Sequence, residues 1–302
     1  MAIGDVEPVP NSTDVYYVDT GMYETEMYGS VFLVDAERPA IIDTGIAADR
    51  EHVFGMLDEV GVDDLEYILP THVHLDHAGG AGYLAERYPD ATVMTHEIGA
   101  PHLVDPSRLV EGTKAAVESQ WRFYDEPLPI EEDRVESLTD GDEIDLGDRT
   151  LTVYHAPGHA PHQVMFHDDA DDVLFVGDAM GIWEPKSETL RQTSPPAQFH
   201  LEKALDDVRT VEDIAPETLC FGHFGPHAYS EAFAEEYKRV LVEWVEAIRQ
   251  KREELDDDEA VIRHFVENTQ MDDVWGVRKA HDEERLNTRG VLGYLDYIGD
   301  GE

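Results

Sequence analysis

One cysteine, Cys220, occurs among 302 residues, so no intrachain disulfide can form and a cysteine-built metal site is not expected. Positive charge is also scarce. Twenty-two Lys and Arg, only six of them lysines, face 67 Asp and Glu, giving a formal net charge of −45. Such a surface repels a phosphate backbone and an anionic bilayer, which argues against nucleic acid and membrane as partners. No run reaches the roughly 18 consecutive apolar residues that span a bilayer. The opening segment MAIGDVEPVP has neither the basic start nor the apolar stretch of a signal peptide. The expectation is a cytoplasmic protein. Cys220 sits in the apolar run Thr218-Leu219-Cys220-Phe221 and reads as a small core residue.

What is present argues for a folded chain. Hydrophobic residues make up 41%, arranged in well-spaced runs rather than diluted as in disordered acidic segments. A compact body with this charge resists its own compaction at low ionic strength, and molar salt, with a screening length of roughly 3 Å, removes most of that repulsion. The acidity therefore reads as adaptation to a salty cytoplasm, that of a halophile.

Short β-rich runs at 15–18, 31–34 and 40–43 are followed by a helical pattern ending at Gly61. A buried strand over 65–69 opens at Pro70 into a His-rich loop, then a helix over 79–88 and a strand over 91–95. Residues 98–123 read as mostly helical, suited to a lid or pocket wall. Strands return at 143–146, 150–155, 163–167, 173–176 and 218–222, with a helix over 199–214. Beyond that, Phe233, Tyr237, Val240, Leu241, Trp244, Val245 and Ile248 recur at helical spacing, and further helices are expected at 259–266 and 289–298. The pattern divides the chain into an α/β (α+β) catalytic body over 1–228 and a helical extension over 229–302.

The strongest chemical signal is Thr71-His72-Val73-His74-Leu75-Asp76-His77, directly after the buried strand. Neutral imidazole and carboxylate are the ligands that Zn²⁺ and similar divalent ions accept. His72 and His74 point the same way on an extended segment, while Asp76 and His77 follow on the turn into the next helix, offset enough for a second ion. Three later strands each end in a Gly and a potential ligand: Gly158-His159, Gly177-Asp178 and Gly222-His223. Glycine there permits an unusual backbone angle or a close approach at a crowded site.

In this order and type, the residues resemble the metallo-β-lactamase superfamily, specifically its HxHxDH hydrolases such as glyoxalase II and the acyl-homoserine lactonases, over about residues 15–228. The resemblance implies a four-layer αββα sandwich with two divalent ions at one edge, zinc first, iron or manganese also accommodated. It implies that His72, His74 and His159 hold the first ion, that Asp76, His77 and His223 hold the second, and that Asp178 bridges them. Asp43, in Ile42-Asp43-Thr44-Gly45, matches a family segment that supports the site; a plain turn-forming role is the alternative. The implied activity is hydrolysis of a small ester, thioester or lactone by a metal-bridging hydroxide, with Asp76 also able to handle a proton. Alternatives on the same fold are a phosphodiesterase or nuclease, disfavoured by the acidic surface, and an iron-dependent persulfide dioxygenase holding one iron through His72, His159 and Asp178.

Around the ligands, Gly158-His159-Ala160-Pro161-His162 departs from the GHTxG of glyoxalase II and the lactonases, and the tail shows no paired Lys/Arg cluster for a glutathione-like anion. His162 could line the pocket or pack on the sheet. His96, His102 and His227 read as surface or pocket-rim histidines, and Trp121, Phe123, Tyr124 and Trp183 as core aromatics with substrate contact as the second reading. The helical tail could cover the active-site mouth or form the surface of a homo-oligomer.

Overall fold

A computed structural model describes residues 1–299. The first sheet holds β1 (Val6–Pro8), β2 (Val15–Asp19), β3 (Ser30–Val34), β4 (Ala40–Ile42), β5 (Tyr67–Leu69), β6 (Thr92–His96) and β7 (Val135–Leu138) in sequence order, antiparallel from β1 to β4 and parallel from β4 to β7. The second contains β8 (Glu143–Asp145), β9 (Thr150–His155), β10 (Val164–Asp168), β11 (Val173–Gly177), β14 (Thr218–Phe221) and β15 (Gly225–Ala228), ordered 15-14-11-10-9-8. β12 (Ile182–Glu184) and β13 (Thr189–Arg191) form a separate ribbon.

Alternation along the strands builds the layers. In β3, Val31 and Leu33 face α1 (Arg50–Val60) and the helices α2 (Leu75–Ala78) and α3 (Ala81–Arg87), whereas Phe32 and Val34 face the second sheet. In β11, Val173 and Phe175 join that inter-sheet core, and Leu174 and Val176 face outward. Full burial of such a side chain contributes about 1.5–3 kcal/mol, and Phe166→Ala in the inter-sheet core is expected to cost about 3–5 kcal/mol. The result is the expected mixed α/β fold of two sheets flanked by helices.

The outer face of the second sheet is covered by α6 (Leu201–Ile214) and the C-terminal helices α7 (Glu231–Leu255), α8 (Asp258–Glu267) and α10 (Val277–Gly299). The side chain of Ser230 caps α7 by accepting from the Phe233 amide, and Asp256 in left-handed backbone ends it. Its stripe of Phe233, Tyr237, Leu241, Val245 and Ile248 is buried against Met165, Leu174 and Val208. Between β6 and β7, α4 (Ala100–Val104), α5 (Ser107–Val117) and a short 3₁₀ segment form the irregular insertion, and α9 (Asp272–Trp275) leads into the last helix.

Two expectations change. Asp76 and His77 lie inside α2, which starts at Leu75, rather than on a turn before a helix at 79. The final helix begins at Val277, not 289, because its first turns bury polar residues (Lys279, Glu283, Glu284, Asn287) that an apolar pattern passes over. Of the helical extension read over 229–302, residues 300–302 lie outside the described residues.

Candidate metal centre

The loops after β5, β9, β11 and β14 open at one edge of the sandwich, and they bring all seven sequence-predicted ligands together. Donor atoms of His72, His74 and His159 lie within 4.8 Å of one another, as do those of Asp76, His77 and His223 and those of His72, His77 and Asp178. The shared members make the three groups one cluster. His74 Nδ1 and His159 Nε2 are 3.1 Å apart, and Asp178 reaches His159 Nε2 at 3.4 Å with one oxygen and His77 Nε2 at 3.2 Å with the other. Gly177, at φ +51°, gives Asp178 this position: a Cβ there would sit 2.6 Å from Thr71 Oγ1. At Gly222 a Cβ would meet the His77 ring at 2.6 Å.

Hydrogen bonds at the back of the rings decide which nitrogens face inward. His77 Nδ1–H donates to Asp43 Oδ2 at 2.8 Å, and His223 Nδ1–H donates to the Tyr28 carbonyl at 3.0 Å. Thr71 donates its hydroxyl and its amide to Asp43 Oδ1, at 2.9 and 2.8 Å, leaving its oxygen 3.1 Å from His72 Nδ1 to accept there. The rings of His72, His77 and His223 thus turn Nε2 to the centre, an orientation that suits metal-ligating histidines, while His74 turns Nδ1 toward His159. His72 Nε2 and Asp178 Oδ1 are buried with no hydrogen-bond partner, a cost that a bound cation would remove. The donor set of imidazoles and carboxylates fits two divalent ions. Asp43, at φ +59°, is the hub of this support, so the supporting alternative for it describes the geometry.

Electrostatics agree with a cation site. Burial and its imidazole neighbours push His72 well below the ordinary histidine value, and burial brings His159 down to about 4, so both are neutral ligands. Burial alone would raise the carboxyls of Asp76 and Asp178, but the surrounding imidazoles outweigh it and hold both below the usual carboxylate range. His77 is pulled well above its ordinary value, because Asp43 and Asp178 overcome the effect of its burial.

The cluster forms the floor of a cavity of about 830 Å³ bounded by α5 and α10. Asp76 keeps 26% of its side chain exposed and faces this space. His162 lines it, with Nδ1 accepting weakly from the Val73 amide at 3.4 Å, and His102 lines it too. His96 is instead buried, its ring stacked on His155 at 4.1 Å, and His227 stacks on Phe233. Trp121 and Phe123 pack in an aromatic cluster with Tyr23 and Tyr28, and Trp183 packs on Phe233. Tyr124 is in the same cluster, also lines the cavity, and shares a hydrogen bond between hydroxyls with Tyr23.

Sequence reasoning missed the wall opposite. Lys279 Nζ lies 4.2 and 4.0 Å from the ring centres of Tyr23 and Tyr28 and pairs with Glu283 at 2.6 Å. Glu283 also accepts from the Tyr28 hydroxyl at 2.8 Å and the Asn287 amide at 2.7 Å. No periodicity marks these residues, because a buried polar helix face looks like a solvated one.

The sequence profile of the metallo-beta-lactamase superfamily matches residues 25–223. An acyl-coenzyme A thioesterase of cattle, MBLAC2, is 29% identical over 182 residues, covering 55% of this chain, and the chain spans only 63% of that relative's length. The metallo-beta-lactamase fold-containing protein ST1585 of Sulfurisphaera tokodaii is 24% identical over 70% of the chain and 78% of its own length. The crystal structure of that archaeal superfamily member superposes with a TM-score of 0.69 at 20% identity, covering 94% of this chain and 99% of its own.

Proposed function

Since the chain belongs to the metallo-β-lactamase superfamily, we propose that it is a dinuclear metal-dependent hydrolase of its HxHxDH group, cleaving an ester, thioester or lactone. The observation that carries the reading is the convergence of seven imidazole and carboxylate ligands, with the Nε2 of His72 and an oxygen of Asp178 left unpartnered, on the floor of a cavity. His72, His74 and His159 would hold one ion, Asp76, His77 and His223 the other, and Asp178 both, with zinc the first choice and iron or manganese alternatives. Ions bound there would polarise the substrate's carbonyl oxygen and lower the pKa of water toward roughly 7.

The chain's own residues do the rest. Asp43, Thr71 and the Tyr28 carbonyl lock the rings, so the ligand geometry is set before substrate arrives. Asp76, open to the cavity and held ionised by its neighbours, is placed to accept a proton as the carbonyl is attacked. Helices α5 and α10 wall the space above the cluster. A thioester is the substrate best supported, because a thioesterase is among the relatives; glyoxalase II-like identity has less support, since Ala160, Pro161 and His162 replace its motif. The acidic composition favours a halophilic cytoplasmic enzyme acting on a small molecule, without nucleic acid or membrane partners. The test is a screen of metal-loaded protein in high salt against thioesters, lactones and phosphodiesters. Thioester or lactone turnover abolished by chelation supports the reading, and turnover confined to phosphodiesters overturns it.

A further inference from the structure

The cavity is large for the chemistry at its floor. About 830 Å³ is the volume of a site for a drug-sized ligand, several times what a short ester fills. Away from the cluster its lining is more apolar than polar, with Ile98, Leu109, Ala116 and Val117 on one side and Pro196 and Leu286 on the other, interspersed with polar groups such as Arg108, Lys279, Asn287 and Arg289. Ile98, half exposed, adds an apolar side chain to the rim of this cavity.

Helix α5 supplies most of this wall and fully buries none of its own side chains. Leu109, Gly112, Thr113 and Ala116 recur at i, i+3, i+4 and i+7, flanked by Arg108, Ala115 and Val117, so one broad face of the helix lines the cavity. Gly112 stands mid-helix, where glycine costs about 1 kcal/mol relative to alanine. A Cβ there would meet nothing within 4 Å, so no close packing requires the glycine. The space it leaves belongs to the cavity. A second observation points to a ligand in the same place. Gln120, 3% exposed, lines the cavity just beyond α5, and its Oε1 has no hydrogen-bond partner. A buried acceptor left unmet costs about 1–3 kcal/mol.

We infer that the α5–α10 groove binds an extended hydrocarbon chain of the substrate, with Gln120 accepting from an N–H or O–H that the same substrate carries. The substrate class is then a medium- or long-chain acyl thioester or ester rather than a short one. This rests on the hydrolase reading above for the reaction, while the binding of the chain is separate from it.

The test uses the full-length, metal-loaded protein in high salt with two readouts. The first is kcat/KM for acyl thioesters of N-acetylcysteamine from two to ten carbons, for the wild type, Gly112→Leu and Ala116→Leu. Each methylene buried in the groove raises kcat/KM by up to about fourfold, so the wild-type ratio of octanoyl to acetyl should exceed 10², and both variants should collapse it toward one. A flat wild-type series overturns the inference, and so does a variant that loses turnover equally at both lengths and keeps the ratio. The second readout is calorimetric binding of decanoate, which needs no turnover. Binding by the wild type, weakened at least tenfold in either variant, supports the groove even if no thioester is cleaved, in which case the hydrolase reading alone fails. No decanoate binding together with no chain-length preference overturns the groove and leaves the metal chemistry standing.

Discussion

His77 shows how one side chain is made ready for a metal. It is 2% exposed, gives its Nδ1 proton to Asp43 and turns Nε2 toward Asp178 and His223, each 3.2 Å away. Asp43→Ala removes the acceptor that fixes this tautomer and also frees Thr71, so affinity for the second ion should fall about 10- to 100-fold; a zinc titration of the variant measures it. Asp76→Ala removes a proposed ligand and a charge near the reacting carbonyl. Turnover should drop by about 10² to 10³, and metal content should fall toward one equivalent. Circular dichroism should be unchanged, because Asp76 is partly exposed and supports no core. Near-normal turnover with two ions bound would remove Asp76 from the site. The ligands were legible in the sequence because strand ends present side chains at fixed places and the residue types are rare together. The support from Tyr28 was not, because it acts through a backbone carbonyl that any residue possesses.

At the scale of elements, α10 is the part that the sequence pattern understated. Its apolar C-terminal turns, with Val291, Leu292 and Tyr294 buried, were readable, whereas its N-terminal turns bury Lys279, Glu283 and Asn287, whose satisfaction depends on Tyr23 and Tyr28 from far along the chain. Glu283→Ala strips the acceptor from three donors and leaves a buried ammonium without its partner, so unfolding should become easier by about 3 kcal/mol in a denaturant titration. Helix α6 shows a different dependence. Its Asp207 is buried, accepts from the Gly158 amide at 2.7 Å, and is pushed up to about 7 by burial. A carboxyl raised in the folded state favours folding in its protonated form. Its contribution is therefore complete below pH ~4 and lost as pH rises toward 7. Asp207→Asn should raise stability at pH 8 by on the order of 2 kcal/mol and have little effect at pH 4. An equal effect at both values would show that this proton is not linked to folding.

For the whole molecule the dominant fact is a charge of −45 spread over one body. Ion pairs exposed on both sides, such as Arg38–Asp145 and Arg239–Glu243, contribute about 0–1 kcal/mol each. Repulsion over the remaining acidic surface is what salt should relieve, so the melting temperature should climb by about 10 °C or more between 0.1 and 2 M KCl. Sucrose at equal osmolality should reproduce only a small part of this. Full stability in dilute buffer would separate the acidity from any need for salt. An α/β body followed by helices was readable from strand and helix periodicity, its layering into two sheets followed from the family resemblance, and residues 98–123 read as a lid or pocket wall. That α5 and α10 face one another across a single cavity was not readable, since it is a relation between segments far apart in sequence. The claim on which the rest depends is that two ions work together on the seven ligands. The most direct measurement adds zinc stepwise to chelated protein in high salt while following thioester turnover and bound metal together. Negligible turnover is expected without metal, followed by a rise that continues to two equivalents and no further gain beyond. Maximal turnover at one equivalent, or turnover independent of added metal, would contradict that claim.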